Sequence, residues 1–350
     1  MKLILPNHPA LYYMGRIDFT NPKAPLFTFP GSQIRTCFTG TSLRVIVKNY
    51  PSYYQTCIGY LIDGKGPYKI NIAKLTEESV IELATNLTDA VHEVIFYKTH
   101  DGAHYFDFRG FVLDEGREVI APNFNPTRRI EAFGDSVSAG SVIEATDYEG
   151  QVDPVHDGEY CNSWYSHIMA VARNLNASVH NTSQGGVALL NGTGYFCQPH
   201  TVGMEFVYDK VRFNPILGIC TQWDFKSYIP HVVILAIGQN DNYPEEYMKT
   251  DLVRRTLWKE KYKEWIRILR GHYPNALFIL TTTLLIHDKS WDDAITEVQK
   301  ELGDKKVVRY IYKRNGSATP GHLRIKEAKE MADELTAFIE SFGEAIWQFN

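Results

Sequence analysis

The chain has 350 residues, 44% of them hydrophobic and 22% charged, which is the composition of a globular protein, and the length suggests about two domains. A net charge of −5 without any run of Lys or Arg excludes the electrostatic footprint of a nucleic-acid or anionic-membrane binder. No stretch approaches the roughly 20 apolar residues of a membrane span, so neither nucleic acid nor membrane is expected as a partner.

At the amino terminus only Leu3 to Leu5 precede Pro6, too short a run for a signal-peptide core. The cysteines, Cys37, Cys57, Cys161, Cys197 and Cys220, are odd in number, widely spaced and without a CxxC pair. Both features predict reduced thiols and a cytoplasmic location, or a secreted one if a leader has been trimmed. To about residue 120 the apolar pattern has period two. "SLRVIVKN" puts Leu43, Val45 and Val47 on one side of a strand, and "CIGYLIDGKGPYKINI" does the same with Ile58, Tyr60 and Ile62 before an Asp-Gly hairpin signal at Asp63 and Gly64. "EVIFYKTHDGAHYFDFRGFVL" repeats the device, with Asp101 and Gly102 between two aromatic-rich runs. Short strands separated by turn signals predict an all-β sandwich or jelly roll over residues 1–122. "APNFNPT", Ala121 to Thr127, reads as the linker.

Residues 123–350 alternate strands and helices. "ASVHNTS", "HVVILAIG", "ALFILTTTLL" and "KVVRYIY" are apolar runs of strand length. "DLVRRTLWKEKYKEWIRILR" is expected to place Val253, Leu257, Trp258, Tyr262, Trp265, Ile266 and Leu269 on one helical face, and a last helix carries Ile325, Ala328, Met331, Leu335, Phe338 and Phe342. This order predicts an α/β domain, a mostly parallel sheet flanked by helices.

Four short stretches of this half each fall where a strand ends or a helix begins: "GDSVSAG" (Gly134 to Gly140), "SQGGV" (Ser183 to Val187), "AIGQNDN" (Ala236 to Asn242) and "TPGHL" (Thr319 to Leu323). An activated serine needs a general base, and a tetrahedral oxyanion needs preorganised N–H donors. Ser136 alone would read as a helix cap, Asn240 with Asp241 as a turn, Gly185 with Gly186 as a loop and His322 as a surface residue. Together they supply a nucleophile, a base and oxyanion donors.

In this order the four blocks resemble the SGNH (GDSL) hydrolase superfamily. With a β-sandwich ahead of them, and with "YYMGRIDFTNP", "CFTGTSLRV" and "QWDFKSYIPHVVILAIGQND", the chain resembles carbohydrate esterase family 2, whose members remove acetyl groups from plant polysaccharides and oligosaccharides. The resemblance implies an SGNH hydrolase domain in which Ser136 is the nucleophile and His322 the base. It also implies an oxyanion hole made of the Ser136 and Gly186 N–H groups and the Asn240 amide, Gly186 rather than Gly185 matching the family's turn. The superfamily's aspartate, three residues before the histidine, is replaced here by Thr319. A Ser-His dyad with a backbone carbonyl orienting His322 is therefore expected, Asp135 and Asp241 holding loops and Ser138 supporting its turn.

For an acetylated oligosaccharide substrate, Trp223, Trp291 and Trp164 are candidate stacking faces, with core packing as the alternative for each, and Asp224 is a candidate hydrogen-bonding partner or turn cap. His156 with Cys161, and His100 with His104, lack the further ligands of a zinc site, so neither metal nor cofactor is expected. The competing functions are a general or lipid ester hydrolase of the same superfamily and a carbohydrate-binding protein that has lost catalysis, as Thr319 would suggest. Oligomeric state is not legible.

Overall fold

The computed structural model describes residues 1–348. In the amino-terminal half two antiparallel sheets face each other. One orders Ile17–Asp18, Leu26–Phe27, His104–Leu113, Leu43–Pro51 and Ser79–Ala84; the other orders Val119–Ile120, Gln33–Gly40, Ala90–Lys98, Cys57–Ile62 and Lys65–Asn71. Successive strand residues point to opposite faces, and Leu43, Val45 and Val47 are all fully buried between the sheets with Phe38, Phe96 and Phe106. Asp63 and Gly64, at φ of 51° and 74°, form the tight hairpin turn expected between Cys57–Ile62 and Lys65–Asn71.

The second Asp-Gly signal behaves differently. Ala90–Lys98 and His104–Leu113 lie in opposite sheets, so Asp101 and Gly102 sit in a crossover and close no hairpin. Strands of two facing sheets bury aromatic residues with the same period as two paired strands, which is why the pattern misled.

After the connection 121–127 comes a parallel sheet ordered Ala177–Ser183, Arg128–Gly134, Val232–Ala236, Leu277–Thr281 and Val307–Arg309. Its strands are buried on both faces. Val233 and Leu235 pack with Trp258, Tyr262 and Trp291 of the helices Leu252–His272 and Lys289–Leu302. Val232 and Ile234 face the other way, against Ile168 and Val171 of His167–Asn174 and Met331 and Leu335 of Ile325–Glu340. In Leu252–His272 the packed stripe is Trp258, Tyr262, Trp265, Ile266 and Leu269. Val253 and Leu257, expected on it, are 80% and 54% exposed, because at about 100° per residue they fall well off that azimuth.

The two halves interlock through Arg16, whose guanidinium meets Glu131 of the first parallel strand at 2.7 Å with both side chains fully buried. Tyr273 donates to the other Glu131 oxygen, and the Tyr208 carbonyl accepts from Arg16.

Burial also sets the acid stability. It pushes the pKa of His100, His104, His167 and His180 down, His100 and His167 to about 3. Relative to about 6.5 in an unfolded chain, these histidines confer stability that is present above pH 6.5 and lost as the pH falls. Asp135 and Asp241, pushed up by burial to about 6, act in the opposite sense as the pH falls from 6 towards 4. His156 and His231 are lowered in the same sense, whereas His92 is raised beside Asp63, so six lowered histidines stand against three opposing groups and the denaturation midpoint should drop from pH 7 to pH 5, each unopposed histidine costing about 1.4 kcal/mol per pH unit. A midpoint that rises over that range would contradict this reading.

Candidate active site

Three adjacent strands end at the same place, the carboxyl edge of the sheet, where open α/β folds place ligands. Arg128–Gly134, in the middle, delivers Ser136; Ala177–Ser183 on one side delivers Gly185 and Gly186; Val232–Ala236 on the other delivers Asn240. Ser136 opens a short helix, Ser136–Ala139, capped by the Asp135 side chain, which accepts from the Val137 N–H. The turn is tight: a Cβ at Gly134 would stand 2.2 Å from Ser138 Oγ. Asp135 is held by the Gln239 amide at 2.7 Å. Asp241 accepts from the Leu189 and Leu190 N–H groups and from Thr193, and thereby ties the Asn240 loop to the glycine turn.

His322 comes from the segment before the last helix. Its Nε2 lies 2.8 Å from Ser136 Oγ and its Nδ1 2.6 Å from Asp153 Oδ2. A carboxylate only accepts, so Nδ1 carries the proton and Nε2 presents its lone pair to the serine hydroxyl. Asp153 Oδ1 accepts the His322 backbone N–H at 2.9 Å and stands 3.0 Å from Arg324 Nη2. Burial raises the Asp153 pKa, but the hydrogen bonds from the His322 side chain, from Arg324 and from the His322 backbone outweigh it and hold the carboxyl well below the usual range. Gly321 is required by this contact, since a Cβ there would lie 2.7 Å from Asp153 Oδ1 and 2.6 Å from the Gln151 carbonyl.

The expected dyad with a carbonyl orienter is thus replaced by a chain of three side chains. Thr319 is fully buried, and its backbone pairs with the segment at Leu285 and Ile286. The orienting carboxylate arrives from a loop 169 residues earlier in the chain.

The donors implied for the oxyanion hole are available. The Gly186 N–H has no protein acceptor among the described residues, whereas the Gly185 N–H is taken by Asp101 at 2.7 Å. Asn240 Nδ2 spends one hydrogen on the Val187 carbonyl at 2.9 Å and keeps the other. The Ser136 N–H belongs to the first helical turn, where no intrahelical acceptor exists.

These groups line a cleft of about 620 Å³ between the two halves of the chain. Tyr53, Tyr54, His100 and Asp101 come from the β half, Tyr195, Phe196, His156 and Leu285 from the α/β half. Trp223, Asp224, Trp291 and Trp164 are not among its lining residues. Trp291 is fully buried between Tyr247 and Trp258. Trp223 packs over the Arg16 guanidinium at the junction of the two halves, and Asp224 caps the turn Phe225–Ser227. Trp164 stacks on Arg173 and Tyr97 beside a separate groove of about 300 Å³. For the tryptophans the packing alternative holds, because each indole finds a cation or ring partner away from Ser136. His156 faces Tyr54 and lies 5.5 Å from the His322 ring, and His104 bonds Asn49. Among the described residues no group of three or more His, Cys, Asp or Glu is placed to hold a metal.

Residues 13–122 match the family model for the carbohydrate esterase 2 N-terminal domain. The chain is 28% identical to a cellulase/esterase, CelE, of Acetivibrio thermocellus over 96% of its own length, and it spans 40% of that relative's length. It is 24% identical to an acetylxylan esterase/glucomannan deacetylase of Cellvibrio japonicus, covering 95% of this chain and 89% of that one. A solved family two carbohydrate esterase from Clostridium thermocellum, in complex with cellohexaose, superposes at a TM-score of 0.77 with 25% identity, over 97% of this chain and 100% of that one. Over residues 13–122 the chain carries the carbohydrate esterase 2 N-terminal domain, and over nearly its whole length it is similar to these family two esterases. The site residues that sequence reasoning missed are Asp153, Asp101 and the cleft tyrosines. Only Gly321 beside His322 signalled a close approach, and nothing in "QVDPVHDGEY" named the carboxylate that makes it.

Proposed function

We propose that the protein is a carbohydrate O-acetyl esterase that acts through an acetyl-enzyme on Ser136. The observation that carries this reading is His322, bonded through one nitrogen to Ser136 Oγ and through the other to Asp153, beside three unspent N–H donors. Ser136 Oγ attacks the acetyl carbonyl while His322 Nε2 takes its proton. The oxyanion bonds to the Ser136 and Gly186 N–H groups and the Asn240 amide. His322 then returns the proton to the departing sugar oxygen, and water repeats the sequence to release acetate and restore the serine. Asp153 holds the ring in the tautomer that both halves need.

The substrate reading rests on the cleft and the relatives. A volume of about 620 Å³ suits a small ester with one or two sugar rings. Tyr54 and Tyr195 are 43% and 49% exposed at its wall, Tyr195 backed by Tyr243 at 4.3 Å, and we assign them as the aromatic surfaces for the sugar. Acetylated xylan- and mannan-type fragments are the proposed class, after the names of the relatives. Comparison of 4-nitrophenyl acetate with 4-nitrophenyl octanoate tests the acyl preference. At about 1–3 kcal/mol per misplaced methylene, acetate should be preferred by about 10²-fold or more in kcat/KM. A preference for octanoate would move the protein to the lipid-ester branch.

A further inference from the structure

Asp101 belongs to the β half of the chain, yet its carboxylate reaches the turn that carries the Gly186 N–H. Asp101 Oδ2 accepts the Gly185 N–H at 2.7 Å and the Gln184 side-chain amide at 3.1 Å. Oδ1 accepts the Ala103 N–H at 3.0 Å and faces the Tyr53 hydroxyl at 3.5 Å. Gln184 is fully buried, and its amide is held almost wholly by the β half: Oε1 accepts the Gly102 N–H at 2.8 Å, and Nε2 points to the Tyr53 hydroxyl at 2.9 Å. The Gly185 carbonyl stands 2.9 Å from the same Nε2, whose two hydrogens are shared among these three acceptors.

That last bond matters because of peptide planarity. The Gly185 carbonyl and the Gly186 N–H belong to one rigid plane and point in opposite directions. A donor fixed on the carbonyl therefore aims the N–H. The turn is also closed by the Val187 N–H on the Gln184 carbonyl at 3.2 Å and by the Tyr195 N–H on the Gly186 carbonyl at 2.8 Å, but neither bond engages the Gly185–Gly186 peptide itself, which two glycines, Gly186 at φ 71°, leave easy to rotate.

We propose that Asp101, acting through Gln184 and Gly185, is a positioning residue that aims the Gly186 N–H at the developing oxyanion, so that the β half of the chain is part of the catalytic apparatus and not only a wall of the cleft. Neither side chain touches the reacting atoms. All four contacts of the Asp101 oxygens are with donors, so an amide at this position would turn its NH₂ on at least one of them. The effect falls on the transition state, where the charge develops, and not on substrate binding.

The inference rests on the esterase reading, and one series separates the two. The full-length protein and its Asp101→Asn, Tyr53→Phe and Ser136→Ala variants are assayed on 4-nitrophenyl acetate, with kcat and KM resolved, at a temperature where thermal unfolding shows each to be folded. Wild-type turnover that is abolished in Ser136→Ala secures the reading beneath. On that footing Asp101→Asn should lower kcat by about 10²-fold, comparable with loss of one oxyanion donor, with KM changed less than about threefold. Tyr53→Phe, which keeps the ring and removes one acceptor from Gln184, should lower kcat by a smaller factor in the same manner. The rate of phosphonylation by an alkyl phosphonate, whose charge develops at the same oxygen, should fall in parallel with kcat. If the folded Asp101→Asn protein keeps kcat within about threefold of wild type, or if KM alone rises, the proposal fails while the esterase reading stands. A wild type without turnover would overturn both.

Discussion

Replacing Ser136 or His322 with Ala lowers the turnover of 4-nitrophenyl acetate by about 10⁶-fold, and the double variant is no slower than either single one. The two side chains act as one device. Without His322 the serine hydroxyl, 2.8 Å from Nε2, has no base to take its proton. Without Ser136 the base has nothing to activate on the protein. What remains in either variant is the polarising effect of the Gly186, Asn240 and Ser136 N–H groups on the bound ester, which supports some 10³-fold catalysis over water in related machinery. Additive losses in the double variant would mean that the two residues serve separate steps.

Asp153→Asn lowers kcat by about 10³ to 10⁴-fold, a loss of the size seen when a triad aspartate is neutralised in a protease. The argument is geometric. Asp153 Oδ2 fixes the proton on His322 Nδ1 at 2.6 Å, and Oδ1 holds the same residue by its backbone N–H. An asparagine that donates to Nδ1 reverses the tautomer and leaves Nε2 without a lone pair for the serine. The variant also leaves the buried Arg324 without its counter-charge, so a lower unfolding midpoint is expected beside the kinetic loss. Because the folded Asp153 pKa is depressed, the stability it confers is present above the unfolded value of about 3.9 and is lost only below it. The pH dependence of activity above pH 5 therefore belongs to other groups. A folded Asp153→Asn protein with more than a tenth of the wild-type kcat would show that His322 works as half of a dyad.

The presence of Asp153 also removes the motive for the non-catalytic reading. Thr319 suggested a lost site only because the acid was sought three residues before the histidine. The acid is there in space, from a loop with no periodic pattern and no turn signal that would tie it to His322. Sequence can reveal such a pairing only when a local motif repeats it, and here none does.

The parallel sheet was legible because its strands are buried on both faces and its central ones read as apolar runs, "HVVILAIG" containing Val232–Ala236. The four loops were legible for the same reason, since each ends a strand or opens a helix. Side-chain destinations on connections were not. Asp101 reads as a hairpin residue and stands at the glycine turn of the site, whereas Trp223, Trp291 and Trp164 read as sugar platforms and pack on Arg16, Trp258 and Arg173. An aromatic residue is equally at home on a sugar and on a core, and the difference lies in long-range packing. The cleft tyrosines Tyr54 and Tyr195 carry no pattern at all, being placed by loops from different halves of the chain.

The most direct test of the account is acetate release from acetylated xylo- and manno-oligosaccharides by the wild-type protein, followed beside Ser136→Ala. The account predicts stoichiometric acetate from the wild type with the sugar backbone intact, and none above background from the variant. Oligosaccharides that bind but keep their acetyl groups in the presence of the wild type would contradict it.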